Sequence, residues 1–427
     1  IDPEQESGLL SILSRILGIS ANTISSMYED FPPGAGWYLP LRAVSADDIQ
    51  QYVDNLTGWP GLVMRSFRAR YYFDGGLASH VVGYVSAIQE DEVEDYKRQG
   101  YRIDERVGRI GLESWGEPYL SGTRGGALYV IDQEGAIVTK LGETSPAPAQ
   151  AIYTTIDSDL QIKAEEALNG FLGAIVVLER DTGRVLAMAS SPDFDPNLFE
   201  PTNFNRSYLI NDLFDVNTVP LLNRATLGQY PLGSVFKVIT MAAALESGVY
   251  TAESIYECGH TFTELIGITL YDWTYEKEKP ASGTLTLPEG LMRSCNPYFY
   301  HIGLDLFNQG LTTAVSDMAR GFGLGKLTGI EQVAEEEGQV PDPESQLDAT
   351  NGAIGQGALQ VTPLQVAVFT AALGNGGTLY RPQVVETITP PDGEATFTFT
   401  PEAVGTLPIS PQTLQIIQDA MVSVVAN

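Results

Sequence analysis

The segment from Gly233 to Gly248 is apolar on nearly every face of a helix. Such a helix holds only when other elements enclose it, so this chain must build a layered fold around it. Lys237 interrupts the apolar run, between Phe236 and Val238. An ammonium buried without purpose is costly, so the lysine is expected to be there for its chemistry. Ser234 stands three residues earlier, and positions i and i+3 share a helix face. A serine hydroxyl becomes an effective nucleophile when a base takes its proton. Burial lowers a lysine's pKa and so supplies such a base. Of the seven lysines, Lys237 alone has a serine three residues before it.

At 427 residues the chain is too long for one compact core. Two or three domains are expected, and the Pro-rich stretch Thr144 to Gln150 is the best linker. This divides the chain into residues 1–147 and 148–427. The net charge of −30 repels polyanions, so no nucleic-acid partner is expected. His80, His260 and His301 show no metal-ligand spacing, so neither a zinc site nor a Ser-His-Asp triad is expected. Cys258 and Cys295 either form one bridge or remain two thiols. No uninterrupted apolar run reaches the length of a membrane span. The chain does not begin with Met and is expected to start partway into a longer protein.

The first part reads as mixed α and β. Helical periods cover Ser7–Leu17 and Ala46–Val53, the second with Ser45 as N-cap. Residues 89–97 read as an acidic, solvated helix. In the second part Ala151–Ile156 reads as a strand. Ser158 and Gln161 have capping-box spacing for a helix ending at Gly170. Gly173–Arg180 and Arg184–Ser190 flank Asp181-Thr182-Gly183, a hairpin signal. Thr362-Pro363, with Gln365 at capping-box spacing, opens another helix that ends at Gly374.

A second polar element, Ser294-Cys295-Asn296, lies between helical segments Leu287–Arg293 and Pro297–Asp305. Asn296 before Pro297 reads as an ordinary N-cap. A loop between two helices is also a place from which a polar pair can face a cleft.

Ser-x-x-Lys followed about sixty residues later by Ser-x-Asn resembles the motif set of penicillin-binding proteins and serine β-lactamases. Leu222-Asn-Arg-Ala-Thr226, Ser294-Cys-Asn-Pro-Tyr-Phe-Tyr300, Ile354-Gly-Gln-Gly357 and Val361-Thr-Pro-Leu-Gln365 resemble the same family. The hairpin and Ser191-Pro-Asp-Phe-Asp-Pro-Asn197 resemble the start of its sheet. Arg68-Ala-Arg-Tyr-Tyr72, His80-Val-Val-Gly-Tyr84 and Gly108-Arg-Ile-Gly-Leu-Glu113 resemble the non-catalytic pedestal of class B members, the elongation-type penicillin-binding protein 2 group in particular.

The resemblance implies an α+β fold: an antiparallel sheet flanked by helices over residues 148–427, on a mixed α/β pedestal over 1–147. It implies a cell-wall D,D-transpeptidase at the extracytoplasmic face of the membrane. Its partners would be peptidoglycan stem peptides, β-lactam antibiotics and a membrane glycosyltransferase within a wall-synthesis complex. Ser234, Lys237, Ser294 and Asn296 would be catalytic. Gly233, Gln356 and Gly357 would shape the substrate cleft. No metal and no organic cofactor are implied. Phe236, Met241 and Trp273 are read as packing, and Asp272 receives no chemistry.

The family's third motif, Lys-Thr/Ser-Gly on a cleft strand, is not found. Lys326-Leu-Thr-Gly329 precedes the expected place and reads as a loop. The resemblance puts the true motif, three further strands and the last helix beyond Asn427. Two rival readings follow: a catalytically degenerate scaffold of the wall-synthesis complex, and a β-lactam-hydrolysing or β-lactam-sensing relative.

Overall fold

The computed structural model describes residues 3–27, 41, 44, 49–50, 52, 56, 59, 62–64, 70–133, 135–200, 203 and 206–426. Helix α1 (Pro3–Leu17) keeps the expected amphipathic register. Leu9, Leu13 and Leu17 recur at i+4 and pack with Ile24 and Leu56 into a small core. The helix expected over 46–53 and its cap Ser45 lie outside the described residues, apart from positions 49, 50 and 52. Arg68 and Ala69 of the pedestal-like motif lie outside them too. The acidic stretch forms a surface helix, Val93–Arg98, with no buried residue.

Strands β1 (Val85–Ala87) and β2 (Arg106–Gly108) pair antiparallel. Ala78, Val81 and Leu112 beside them belong to the large core that also holds the buried central helix. Strands β3 (Gly126–Ile131) and β4 (Ile137–Thr144) form a hairpin exposed on both faces. The Pro-rich stretch that follows is tied down by a backbone bridge between Thr123 and Ala147.

Strand β5 (Ala151–Thr154) leads into α2 (Ser158–Leu168). The cap of α2 is Asp157, not Ser158: its carboxylate accepts from the Leu160 N–H at 2.9 Å. Gln161 does not close a capping box. It is buried, and its amide bonds both the N–H and the C=O of Met188 on the neighbouring strand. A buried amide needs partners on both sides, and the strand supplies them.

Strands β6 (Gly173–Leu178) and β7 (Val185–Ser191) form the expected hairpin, Gly173 opposite Ser191. Gly183, at φ 83°, closes its turn. Ala164 and Leu168 of α2 cover Ala187 and Ala189 on one face. Among the described residues β6 pairs only with β7, so its other edge is open.

Helix α3 (Lys237–Glu246) is the central helix, and every residue from Lys237 to Ala244 is buried. It does not begin at Gly233. Residues Gly233–Phe236 form a 3₁₀ turn, with Gly233 at φ 59°. Strands β8 (Ile255–Cys258), β9 (Thr261–Phe262) and β10 (Leu270–Tyr271) follow, then α4 (Trp273–Glu276) and β11 (Gly283–Thr286). Helices α5 (Leu287–Met292), α6 (Asn296–Asn308), α7 (Gln346–Gly352) and α8 (Pro363–Gly374) come next. Thr362 and Gln365 form the expected capping box of α8. Strands β12 (Thr378–Tyr380), β13 (Val385–Thr389), β14 (Phe397–Thr398) and β15 (Ala403–Thr406) precede α9 (Pro411–Ala426).

Strand β13 lies between β5 and β14, and all paired strands among the described residues run antiparallel. This is the α+β architecture expected. Helices α5, α6 and α9 pack on α3. Met188, Phe236, Ile239, Phe299, Phe369 and Ile417 are among the residues that fill the core, each contributing roughly 1.5–3 kcal/mol by burial. Among the described residues no helix is long and apolar enough to cross a membrane.

Candidate active site

Ser234 is exposed in the 3₁₀ turn, immediately ahead of the buried helix. The turn is held from behind: Gly233 N–H donates to Gly355 C=O at 2.9 Å. A Cβ at Gly355 would lie 2.5 Å from the Gly233 oxygen and 2.6 Å from the Phe236 Cβ. Only a glycine lets the two chains approach this closely.

Lys237, one turn on, is fully buried. Its Nζ is 2.8 Å from Ser294 O, 2.5 Å from Asn296 Oδ1 and 3.0 Å from Ser294 Oγ. The Phe299 ring lies beneath it, 5.6 Å from Nζ to centroid. Burial pushes the amine down to about 7 from the ordinary lysine range, against the opposing charge of Asp272. Two of its three partners, a carbonyl and an amide oxygen, can only accept. The third is a hydroxyl, which donates or accepts. An ammonium is therefore satisfied by three acceptors. A neutral amine is satisfied as well: its two N–H groups keep the fixed acceptors and its lone pair takes the Ser294 hydroxyl. The site thus holds either protonation state without an orphaned polar group.

Ser294 makes this possible through its backbone. It adopts φ 51°, a left-handed conformation rare for a side-chain-bearing residue, and both its carbonyl and its hydroxyl reach Lys237. Asn296 is not the cap of α6. Cys295 is, its Sγ accepting from Tyr298 N–H at 3.3 Å. Asn296 is the first helical residue, and its side chain is free to meet Lys237.

Cys295 is joined to Cys258 at the end of β8. The pairing that composition left open is therefore a disulfide, and it anchors the middle of Ser294-Cys295-Asn296. The bridge closes a loop of 37 residues in sequence. Replacing both cysteines by serine is expected to lower the unfolding free energy by about 2–4 kcal/mol, read as a fall in urea midpoint at unchanged slope.

The sequence reading missed Asp272. It is fully buried, caps α4, and its Oδ1 accepts the Asn296 N–H at 2.8 Å. Its Oδ2 accepts from Thr274 N–H at 3.1 Å and from Thr274 Oγ1 at 2.5 Å. The signal in the sequence, Asp-x-Thr opening a short helix, announces a cap and nothing more. Trp273 is not simple packing either. Its indole N–H donates to Arg293 C=O at 3.1 Å, tying α4 to the residue before Ser294.

Cys258, Asp272 and Cys295 are the one group among the described residues whose donor atoms converge closely enough for a metal ion. Metal ligation needs deprotonated thiols, and here the two sulfurs are bonded to each other.

Gln356 is exposed, and its Nε2 lies 3.6 Å from where a Gly233 Cβ would sit. Together with Gly357 and Phe236 it lines a cavity of about 300 Å³ beside α6 and α7. Lys326-Leu-Thr-Gly329 is a loop, as expected. The Glu335 carboxylate accepts from the N–H groups of Thr328 and Gly329 and from the Thr328 hydroxyl.

Comparison with known proteins finds two matching families. Residues 173–427 match the family described as penicillin binding protein transpeptidase domain, and residues 3–154 that described as penicillin-binding protein dimerisation domain. The chain is 32% identical over 368 residues to the peptidoglycan D,D-transpeptidase MrdA of Acinetobacter baumannii, an alignment covering 81% of this chain and 53% of that protein. It spans about half the length of that curated relative. Penicillin-binding protein A of M. tuberculosis, solved as a ceftriaxone acyl-enzyme, superposes with a TM-score of 0.57 at 32% identity, covering 65% of this chain and 63% of that one. A chain of a peptidoglycan synthase complex, solved for its coordination of polymerization and crosslinking, gives 0.67 at 30% identity, covering 94% and 71%.

Proposed function

The chain belongs to the penicillin-binding protein transpeptidase family, and from that membership we propose that it cross-links peptidoglycan as a D,D-transpeptidase through a Ser234 acyl-enzyme. The observation that carries the proposal is the buried Lys237 amine with Ser294 and Asn296 both on it.

Neutral Lys237, its lone pair turned from the Ser294 hydroxyl to Ser234, takes the Ser234 proton. Ser234 Oγ attacks the carbonyl between the two terminal D-alanines of a stem peptide. The Ser234 N–H is one donor to the oxyanion, and such a donor is worth about 3–4 kcal/mol. As the tetrahedral intermediate collapses, the carbon–nitrogen bond breaks. Ser294, hydrogen-bonded to Lys237, relays the proton to the leaving D-alanine amine. An amino group from a neighbouring strand then attacks the ester and gives its proton to Lys237; the bond from the carbonyl carbon to Ser234 Oγ breaks, and Lys237 returns that proton to Ser234. Asn296 holds Lys237 in place and offers its amide to the substrate backbone. Gly233, Gln356 and Gly357 border the cleft. A β-lactam acylates the same serine and leaves no amine that departs.

Residues 148–427 carry this chemistry in our reading, and residues 1–147 are its pedestal at the extracytoplasmic face of the membrane. The likeness to a chain of a synthase complex supports a membrane glycosyltransferase as partner.

Covalent labelling with a fluorescent penicillin, followed by peptide mass mapping, tests the proposal. It is run on this chain and on one extended to the gene's stop codon. A stoichiometric, slowly reversed adduct on Ser234, absent in Ser234→Ala, is expected. No adduct in either chain leaves the scaffold reading in front, and many turnovers of a chromogenic cephalosporin would favour the hydrolase.

A further inference from the structure

The Ser294-Cys295-Asn296 segment is held by more than its disulfide. Asp272 stands 24 residues earlier, at the junction of β10 and α4. Its own N–H donates to His260 C=O at 2.9 Å, which ties it to the strand pair β9–β10. Its carboxylate is completely withdrawn from solvent. A buried carboxylate is tolerated when hydrogen bonds or a nearby cation compensate it, and here both are present. Three hydrogen bonds reach it, one from the first residue of α6. That N–H belongs to the four at the start of α6 that have no partner within the helix.

We propose that Asp272 is a positioning residue of the acylation machinery: its Oδ1 fixes the Asn296 backbone so that the Ser294 carbonyl and the Asn296 amide both meet Lys237, and its carboxylate is the charged partner of that amine. The proposal rests on the transpeptidase reading above. Asp272 is the charged group that acts on Lys237. The other groups facing Nζ, namely Ser294, Asn296 and the Phe299 ring, are uncharged. Tyr300 also feels Asp272, together with Glu276.

Two variants separate the roles. Asp272→Asn keeps an oxygen for the Asn296 N–H, removes the charge and gives up the acceptor of the Thr274 N–H. A carboxylate favours the ammonium form of Lys237, so its loss favours the neutral amine. The acid limb of the acylation-rate profile then moves to lower pH by about one unit. Asp272→Ala removes the acceptor as well. Acylation is expected to fall at least about tenfold across the profile, and amide exchange at 294–296 to accelerate relative to the rest of α6. Both variants are measured in the full chain, with thermal melts to confirm folding. An Asp272→Asn profile that overlays the wild type, or exchange at 294–296 unchanged in Asp272→Ala, overturns the proposal. If Asp272→Ala does not fold, Asp272→Asn alone decides it. The exchange readout needs no acylation. A wild-type chain that fails to react therefore counts against the transpeptidase reading, while exchange at 294–296 still decides whether Asp272 fixes that segment.

Discussion

Lys237→Met is expected to lower the rate of acylation by a β-lactam about 10²–10⁴-fold, the usual contribution of a positioned general base. Methionine nearly matches the lysine stem in length, so the packing of α3 is kept. What is lost is the nitrogen on which Ser294 O, Ser294 Oγ and Asn296 Oδ1 converge. Lys237→Arg is not expected to rescue, because a guanidinium stays protonated. The wild-type rate carries its own signature. Lys237 is held down to about 7 by burial, and it serves as a base only when neutral. The rate should therefore rise with pH through about 7 and level off above it. Below that value each unit of pH costs about tenfold. The methionine variant should be slow and flat over the same range. Stopped-flow or gel-based acylation between pH 5.5 and 8.5 checks both. A wild-type profile flat across this range would remove Lys237 from the role of base.

How much of this was legible beforehand depends on how local each interaction is. Ser234 and Lys237 stand three residues apart, so spacing and the apolar flanks sufficed to single them out; the structure puts Ser234 in the 3₁₀ turn and Lys237 at the start of α3. The hairpin of β6 and β7 and the capping box of α8 are equally local. Asp157 took the cap expected of Ser158 because either residue can cap, and the choice falls to backbone geometry and to the strand beside Gln161. The Cys258–Cys295 bridge joins residues 37 apart, with Cα atoms 6.3 Å from each other. Nothing in the spacing of two cysteines reports that distance. Asn296 was read as a cap because Asn-Pro opens many helices. In the structure the cap is Cys295, itself in the disulfide, and Asn296 is the first helical residue. Asp272 was the hardest to see. It acts through the main chain of a residue 24 positions away, and main-chain contacts leave no mark on residue type at the receiving end.

Gly355→Ala tests the same limit from the other direction, because a single methyl there should damage chemistry more than fold. Gly355 has φ 72°, and an alanine Cβ would fall 2.5 Å from Gly233 O, 2.6 Å from Phe236 Cβ and 2.8 Å from Gly233 N. None of these is the flexible end of a side chain. Two are backbone atoms of the residue before Ser234, and the third belongs to a side chain buried in the core. Relief requires the loop and the nucleophile turn to separate toward ordinary contact distance, a shift approaching 1 Å. The bond from Gly233 N–H to Gly355 C=O, 2.9 Å long, then stretches or breaks. Misplacement of this size in a reacting group costs on the order of 10²-fold in rate. The accompanying loss of stability comes mainly from left-handed backbone strain, about 1–3 kcal/mol. Gly248→Ala is the matched control. Its φ of 74° imposes the same backbone strain, and nothing lies within 4 Å of its Cβ. Gly355→Ala should melt somewhat below Gly248→Ala, by the hydrogen bond and the packing it also loses, and it alone acylates slowly. Equal acylation rates in the two would mean that the Ile354-Gly355-Gln356-Gly357 loop does not hold the nucleophile turn in register. The close approach at Gly355 would then be packing with no consequence for Ser234.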